Sequence, residues 1–244
     1  MQVTIDYSRD KLLTQQGYDL IKKHYMKPGD VSPQDAFART CLYFGSNAEH
    51  AQRLYDAVSK LHFMFSSPIL SNNSHDDRGL PISCFLSYVS DDLDGLIGHE
   101  TETKWLSIFG GGVGGHWDDV RCISSKSPGP IPFIHSVDGA LTAYKQGETR
   151  KGAYAAYMDI GHPDIKEFIN IRVPGGDINR KSYNLHNAIN IPDAFMEAVN
   201  NDEEWQLIDP KTKDVKEVVK ARELWEMILT VRHRTGEPYL NFID

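Results

Sequence analysis

The sequence predicts an α/β fold, with a helical region over residues 1–65 and a sheet of parallel strands over 66–244. Two observations predict it. Helical spacing of apolar residues fills the first region. From Pro68 onward, short strand-like runs alternate with helical segments, the pattern of parallel strands joined by crossover helices.

Residues 10–26 carry Leu12, Leu13, Tyr18, Leu20 and Ile21 at helical spacings, and Pro28-Gly29-Asp30 stops them. Ser32-Pro33 opens the next helix, with Ser as N-cap, Pro in the first turn and Asp35 at the capping-box position. Gly45-Ser46-Asn47 breaks it. A third helix is predicted over 48–63, with Ala51, Leu54, Tyr55, Val58 and Leu61 on one face. The polar run 71–79 reads as a loop. Strands are then predicted over 82–88, part of 113–123, 153–158, 188–191, 205–208 and 239–243. Helices are predicted between them, over 93–109, 132–144, 163–172, 192–200 and 216–234. The last strand runs into Asp244 and leaves an unpaired edge, so the sheet is expected to be completed by another segment.

Bulk properties narrow the function. The chain has 244 residues, 40% hydrophobic and 25% charged, as in ordinary globular proteins. A formal net charge of −8 argues against a general nucleic-acid surface, yet allows a small phosphate pocket built from a few cations and backbone N–H groups. No apolar run approaches the ~20 residues of a membrane helix, and the start has no secretory pattern. Cys41, Cys84 and Cys122 are widely spaced and odd in number, with no Cys-x-x-Cys, which argues against a zinc site and for a reducing compartment. The expected location is the cytoplasm.

Several residues invite a chemical reading. The run 110–115 contains G-x-G-x-x-G, but a dinucleotide site needs that motif after a strand and opening a helix. Here it follows a helical segment and leads into extended chain, so a tight turn or a glycine strip under a substrate fits better. Cys84 sits in an apolar strand and, on composition, reads as a core thiol, as do Cys41 and Cys122. Asp91, Asp92 and Asp94 either cap a helix or contact a ribose or base near its start. The segment 144–152 is a solvated connection or a functional loop. His135, His186 and His233 lack metal-ligand spacing, so no metal site is expected, and 211–217 reads as a solvated loop.

Taken in order, Ser67-Pro68-Ile69-Leu70-Ser71-Asn72, Ser83-Cys84-Phe85-Leu86, the glycine strip, Gly129-Pro130-Ile131-Pro132-Phe133, Arg150-Lys151-Gly152-Ala153-Tyr154-Ala155, His162-Pro163-Asp164-Ile165, Trp205-Gln206-Leu207-Ile208-Asp209-Pro210 and Thr235-Gly236-Glu237-Pro238-Tyr239-Leu240 resemble ribonucleotide reductase large subunits from Ser66 to Asp244. The resemblance implies the first five-stranded half of a ten-stranded α/β barrel, in a compact phage-type form without an N-terminal ATP cone. It implies that Cys84 is one thiol of the redox pair, and that Ser67, Ser83 and Gly112 hold substrate. It places Asp91, Asp92, Leu93, Arg121 and Lys126 at the specificity-effector site, for a deoxynucleoside triphosphate or ATP, and Gln146 and Arg150 on the loop that reads substrate identity. The thiyl-radical cysteine between Asn and Glu, and the second redox cysteine, would lie beyond Asp244. The implied partners are the C-terminal half of the subunit, a second copy across the effector-site helices, a small radical-generating subunit and a thioredoxin- or glutaredoxin-type reductant. No cofactor is expected on this chain; the radical would come from a dimetal subunit or adenosylcobalamin. Two other readings remain: a non-catalytic nucleotide-binding fragment for regulation or assembly, and, from the glycine strip alone, a dinucleotide-dependent dehydrogenase.

Overall fold

The computed structural model describes residues 2–74, 79–144 and 152–244. It divides into two compact units, Met1–Ser83 and Cys84–Asp244.

The first unit is helical. A 3-10 turn, Tyr7–Leu12, precedes α1 (Gln15–His24), α2 (Pro33–Phe44), α3 (Ala48–Ser59) and the short α4 (Ser67–Ser71). The single helix predicted over 10–26 is thus two pieces. Thr14 divides them, because its hydroxyl accepts the Gly17 N–H at 3.1 Å and caps α1. The capping box of α2 is present: Ser32 Oγ accepts the Gln34 N–H at 3.1 Å, and Asp35 Oδ2 accepts the Ser32 N–H at 3.0 Å. The third helix stops short of residue 63, because Leu61 turns into left-handed backbone with φ of 60°. Ile21, Phe37, Cys41, Tyr55, Val58 and Leu70 form the core of this unit. Leu70 belongs to that helical core, so the division falls at Ser83 rather than after residue 65.

The second unit is a five-stranded parallel sheet in the order β1 (Cys84–Tyr88), β2 (Gly112–His116), β5 (Tyr154–Asp159), β6 (His186–Ile191) and β9 (Tyr239–Phe242). Its helices are α5 (Leu93–Ile108), α6 (Ile131–Ala143), α7 (Ile165–Ile169), α8 (Asp193–Asn201) and α9 (Ala221–Thr235). Two hairpins stand outside the sheet, the small β3 (Ile123–Ser124) with β4 (Ser127–Pro128), and β7 (Glu204–Ile208) with β8 (Val215–Lys220). Spatial order follows chain order, so right-handed crossovers stack the helices on one face. That face buries Val113, Tyr154, Ala156, Met158, Ile189 and Phe168 in a continuous core. The other face is bare: Leu86 and Tyr88 are 68% and 59% exposed. No helix among the described residues is long and apolar enough to cross a membrane.

Three further expectations are corrected. Residues 205–208 form a strand, but in the antiparallel hairpin rather than the sheet. Residues 216–220 are strand, not helix, because Val218 and Val219 pair with Gln206 and Trp205, and α9 starts only at Ala221. The glycine run is mostly the interior of β2, flanked by α5 before it and opening no helix, which removes the dinucleotide reading.

Candidate functional site

The described residues place the predicted positions of the second unit at opposite ends of its sheet. At the amino end, Cys84 opens β1 and pairs with Gly112, which opens β2. They share a groove of about 220 Å³ with Gly114, Ala155, Tyr157, His186 and Tyr239. Cys84 is exposed and free, contrary to the core reading, because its side chain points to the bare face of the strand. Cys41 and Cys122 are buried, as expected. Burial pushes both thiols up to about 12, and for Cys122 a hydrogen bond to Asp209 adds to the effect. Cys84 is therefore the thiol of the three best placed for chemistry.

The floor of the groove depends on small residues. A side chain at Gly114 would come within 2.8 Å of the Ala155 carbonyl oxygen and 2.9 Å of Leu86. Ser83 directly precedes Cys84 and is half-buried. Ser67 lies in the helical unit at the start of α4, its hydroxyl 2.7 Å from that of Tyr25.

The sequence reading missed the wall of the groove. Glu237 is buried, and its Oε1 lies 2.6 Å from His186 Nδ1 and 3.5 Å from an Arg172 nitrogen. His186 in turn stacks on Tyr239, with ring centroids 5.5 Å apart. The register of β6 against β9 creates this cluster, and strand order is not written in either segment alone.

At the carboxyl end, Asp91, Asp92, Leu93, Arg121 and Lys126 line one cleft of about 190 Å³ with Leu96, Ser127 and Phe133. Each reaches it from a different local device. Asp92 caps α5, with Oδ1 accepting the Gly95 N–H at 2.8 Å and Oδ2 accepting the Ser90 hydroxyl at 2.8 Å. These bonds hold its carboxyl below the ordinary value. Arg121 Nε donates to both Asp91 oxygens at 2.8 Å, and a terminal nitrogen donates to the Asp91 carbonyl at 3.0 Å. Burial pulls the Asp91 carboxyl up, but Arg121 and Lys211 outweigh it and keep the carboxyl low. Lys126 sits in the turn between β3 and β4.

A buried hydrogen-bonded chain runs under the helix-covered face of the sheet. Tyr154 lines the groove, and its hydroxyl lies 2.8 Å from both Trp117 Nε1 and His99 Nε2. His99 belongs to α5, the helix that Asp92 caps, and its Nδ1 lies 3.1 Å from Ser87 Oγ. Desolvation lowers the His99 pKa to about 4. Gln146 and Arg150 lie outside the described residues.

Residues 82–244 match the family described as ribonucleotide reductase, barrel domain, and 11–77 match ribonucleotide reductase, all-alpha domain. The chain is 57% identical over 202 residues to a putative ribonucleoside-diphosphate reductase large subunit of Frog virus 3 (isolate Goorha), covering 83% of this chain and 35% of that protein. It is 42% identical over 249 residues to the ribonucleoside-diphosphate reductase large subunit of Invertebrate iridescent virus 6, covering 99% and 26%. Among solved structures, the Actinobacillus ureae class Id ribonucleotide reductase alpha subunit superposes with a TM-score of 0.73 at 25% identity, over 98% of this chain and 41% of that one. The chain thus spans between about a quarter and two fifths of these relatives' lengths.

Proposed function

The chain belongs to the ribonucleotide reductase large-subunit family, and from that premise we propose that it supplies one redox thiol and the effector cleft of an enzyme that reduces ribonucleotides to deoxyribonucleotides. The observation that carries the reading is the placement of Cys84, a free exposed thiol on a floor of small residues that admits a sugar close to the backbone. In the proposed reaction two thiols become a disulfide. Their electron pair and a proton replace the 2'-hydroxyl, which leaves as water, and an external dithiol of the thioredoxin or glutaredoxin type restores the pair. The initiating radical is supplied from outside this chain, by a dimetal small subunit or adenosylcobalamin. Cys84 is one of the two thiols, Gly112 lets the substrate approach, and Ser67 and Ser83 supply hydroxyl contacts to it.

Asp91, Asp92, Leu93, Arg121 and Lys126 take a deoxynucleoside triphosphate or ATP, and α5 and α6 face a second copy. Gln146 and Arg150 transmit the effector's identity to substrate choice. A second reading, a non-catalytic effector-binding piece, draws support from the cleft, which this chain's own residues line. The separating experiment supplies the remainder of a relative's large subunit and its radical source. Turnover that Cys84→Ser abolishes, with effector binding retained, supports the catalytic reading. Effector binding without turnover in any combination supports the other.

A further inference from the structure

The hairpin of β7 and β8 is no part of the sheet, yet Lys211 of its turn contacts Asp91, which lines the carboxyl-end cleft. Asp209, at the start of that turn, is buried and fully engaged. Its Oδ1 accepts the N–H groups of Lys211 and Thr212 at 2.9 and 2.8 Å. Its Oδ2 accepts the N–H of Cys122 at 3.2 Å and the Cys122 thiol at 2.8 Å. Burial alone would raise this carboxyl, but the four donors hold it well below the usual carboxylate range, so it stays charged. Cys122 follows Arg121 directly. One carboxylate therefore fastens the hairpin turn to the segment that carries Arg121.

The side chain leaving this fastened turn is Lys211, and its Nζ lies 3.2 Å from Asp91 Oδ2. Asp91 thus holds two cations, Arg121 and Lys211, with one negative charge. Asp92 is committed to capping α5. Lys126 adds a third cation from the β3–β4 turn. An ammonium has three donors, and Asp91 takes one, so Lys211 keeps N–H groups for another acceptor. A polyphosphate matches such a setting, since it offers several anionic oxygens to converging cations.

We propose that Lys211 binds the terminal phosphates of a nucleoside triphosphate in this cleft, delivered there by the β7–β8 hairpin. The inference rests on the effector-site reading given above and adds a residue from a segment that reads, in sequence, as a solvated loop.

The test is titration of the full chain with dTTP and, separately, with dTMP, in magnesium-containing buffer. For Lys211→Ala we expect dTTP affinity to fall about tenfold or more, the scale of a lost charge-assisted hydrogen bond, with dTMP affinity changed less than about twofold. Lys211→Arg should retain most of the dTTP affinity, and Lys211→Glu should weaken it further than Ala. Thermal melts of the variants that match the parent exclude loss of fold. If Lys211→Ala keeps the parent's dTTP affinity, or loses dTTP and dTMP in equal proportion, the inference is overturned while the effector reading stands. If the parent itself binds neither nucleotide, the effector reading fails and the inference with it.

Discussion

The two ends of the parallel sheet are built on opposite physical plans. The carboxyl-end cleft is a set of ion pairs and caps: Asp91 with Arg121 and Lys211, and Asp92 on the start of α5. The amino-end groove is floored by Gly112, Gly114 and Ala155, with one free thiol, Cys84, at its edge and His186, hydrogen-bonded to Glu237, on its wall. Charge placed on turns suits binding of a charged ligand, because the cations are held without burying them. A floor of small residues suits chemistry, because it brings a substrate close to a thiol with little polar surface to desolvate. Under the proposed function, recognition falls to one end and reaction to the other.

That assignment can be broken, most severely at Cys84. In the reconstituted enzyme, Cys84→Ser should lower multiple-turnover activity by roughly a thousandfold or more, since a hydroxyl cannot close a disulfide, while effector affinity stays at the parent's value. Unchanged turnover would reduce Cys84 to a packing residue. Thiol labelling of the folded chain sharpens the same point: Cys84 should react first, and Cys41 and Cys122 only on unfolding, since burial holds their thiols protonated.

The buried chain of Tyr154, His99 and Ser87 should show in the pH dependence of stability. His99 has a folded pKa of about 4 against the usual 6.5, so between those values the unfolded chain takes up a proton that the folded chain refuses. Stability should be intact above pH 6.5 and fall as the pH drops toward 4, by up to about 3 kcal/mol. His99→Gln should flatten that slope in denaturant titrations at pH 7 and pH 5. An identical slope would mean that other groups govern it.

At the cleft, Arg121→Ala should weaken deoxynucleoside triphosphate binding by about 1.5–3 kcal/mol, measured by calorimetry, without altering the reactivity of Cys84. A loss at both ends would erase the division of labour. Gly115→Ala should cost about 1–3 kcal/mol of stability, because a Cβ there would lie 2.3 Å from the Tyr154 hydroxyl and 2.7 Å from His99 Nε2. The smallest expected effect concerns Gln146 and Arg150. Their alanine variants should blur, by about fivefold, how the effector changes substrate preference in four-substrate competition, with effector affinity retained.

Much of this was legible in the residues. Alternating strand and helix runs gave the sheet strands and most crossover helices, because β-branched runs and caps are local signals. The five positions assigned to the cleft do converge, although they span Asp91 to Lys126. Long-range pairings were not legible. Val218 and Val219 sit in a charged run that reads as helix, and only pairing with β7 shows them as strand. Lys211 is exposed, as a solvated loop should be, but only Asp209's long-range bonds show that its turn sits beside Arg121. The exposure of Cys84 was hidden because an apolar strand looks the same whether one face or both are covered.

The Tyr154 hydroxyl has a consequence that outlasts the question of roles. An indole N–H can only donate, so Trp117 fixes the tyrosine oxygen as its acceptor. The oxygen could accept a second bond, but the tyrosine's own hydrogen would then have no acceptor among these partners, so the arrangement that satisfies every donor points it to a bare His99 Nε2. His99 is left carrying its hydrogen on Nδ1, directed at Ser87 Oγ. One donor-only ring thereby dictates a tautomer two hydrogen bonds away. The imidazole nitrogen shifts of His99 become a spectroscopic gauge of whether that buried line of hydrogens, from Trp117 to Ser87, is intact.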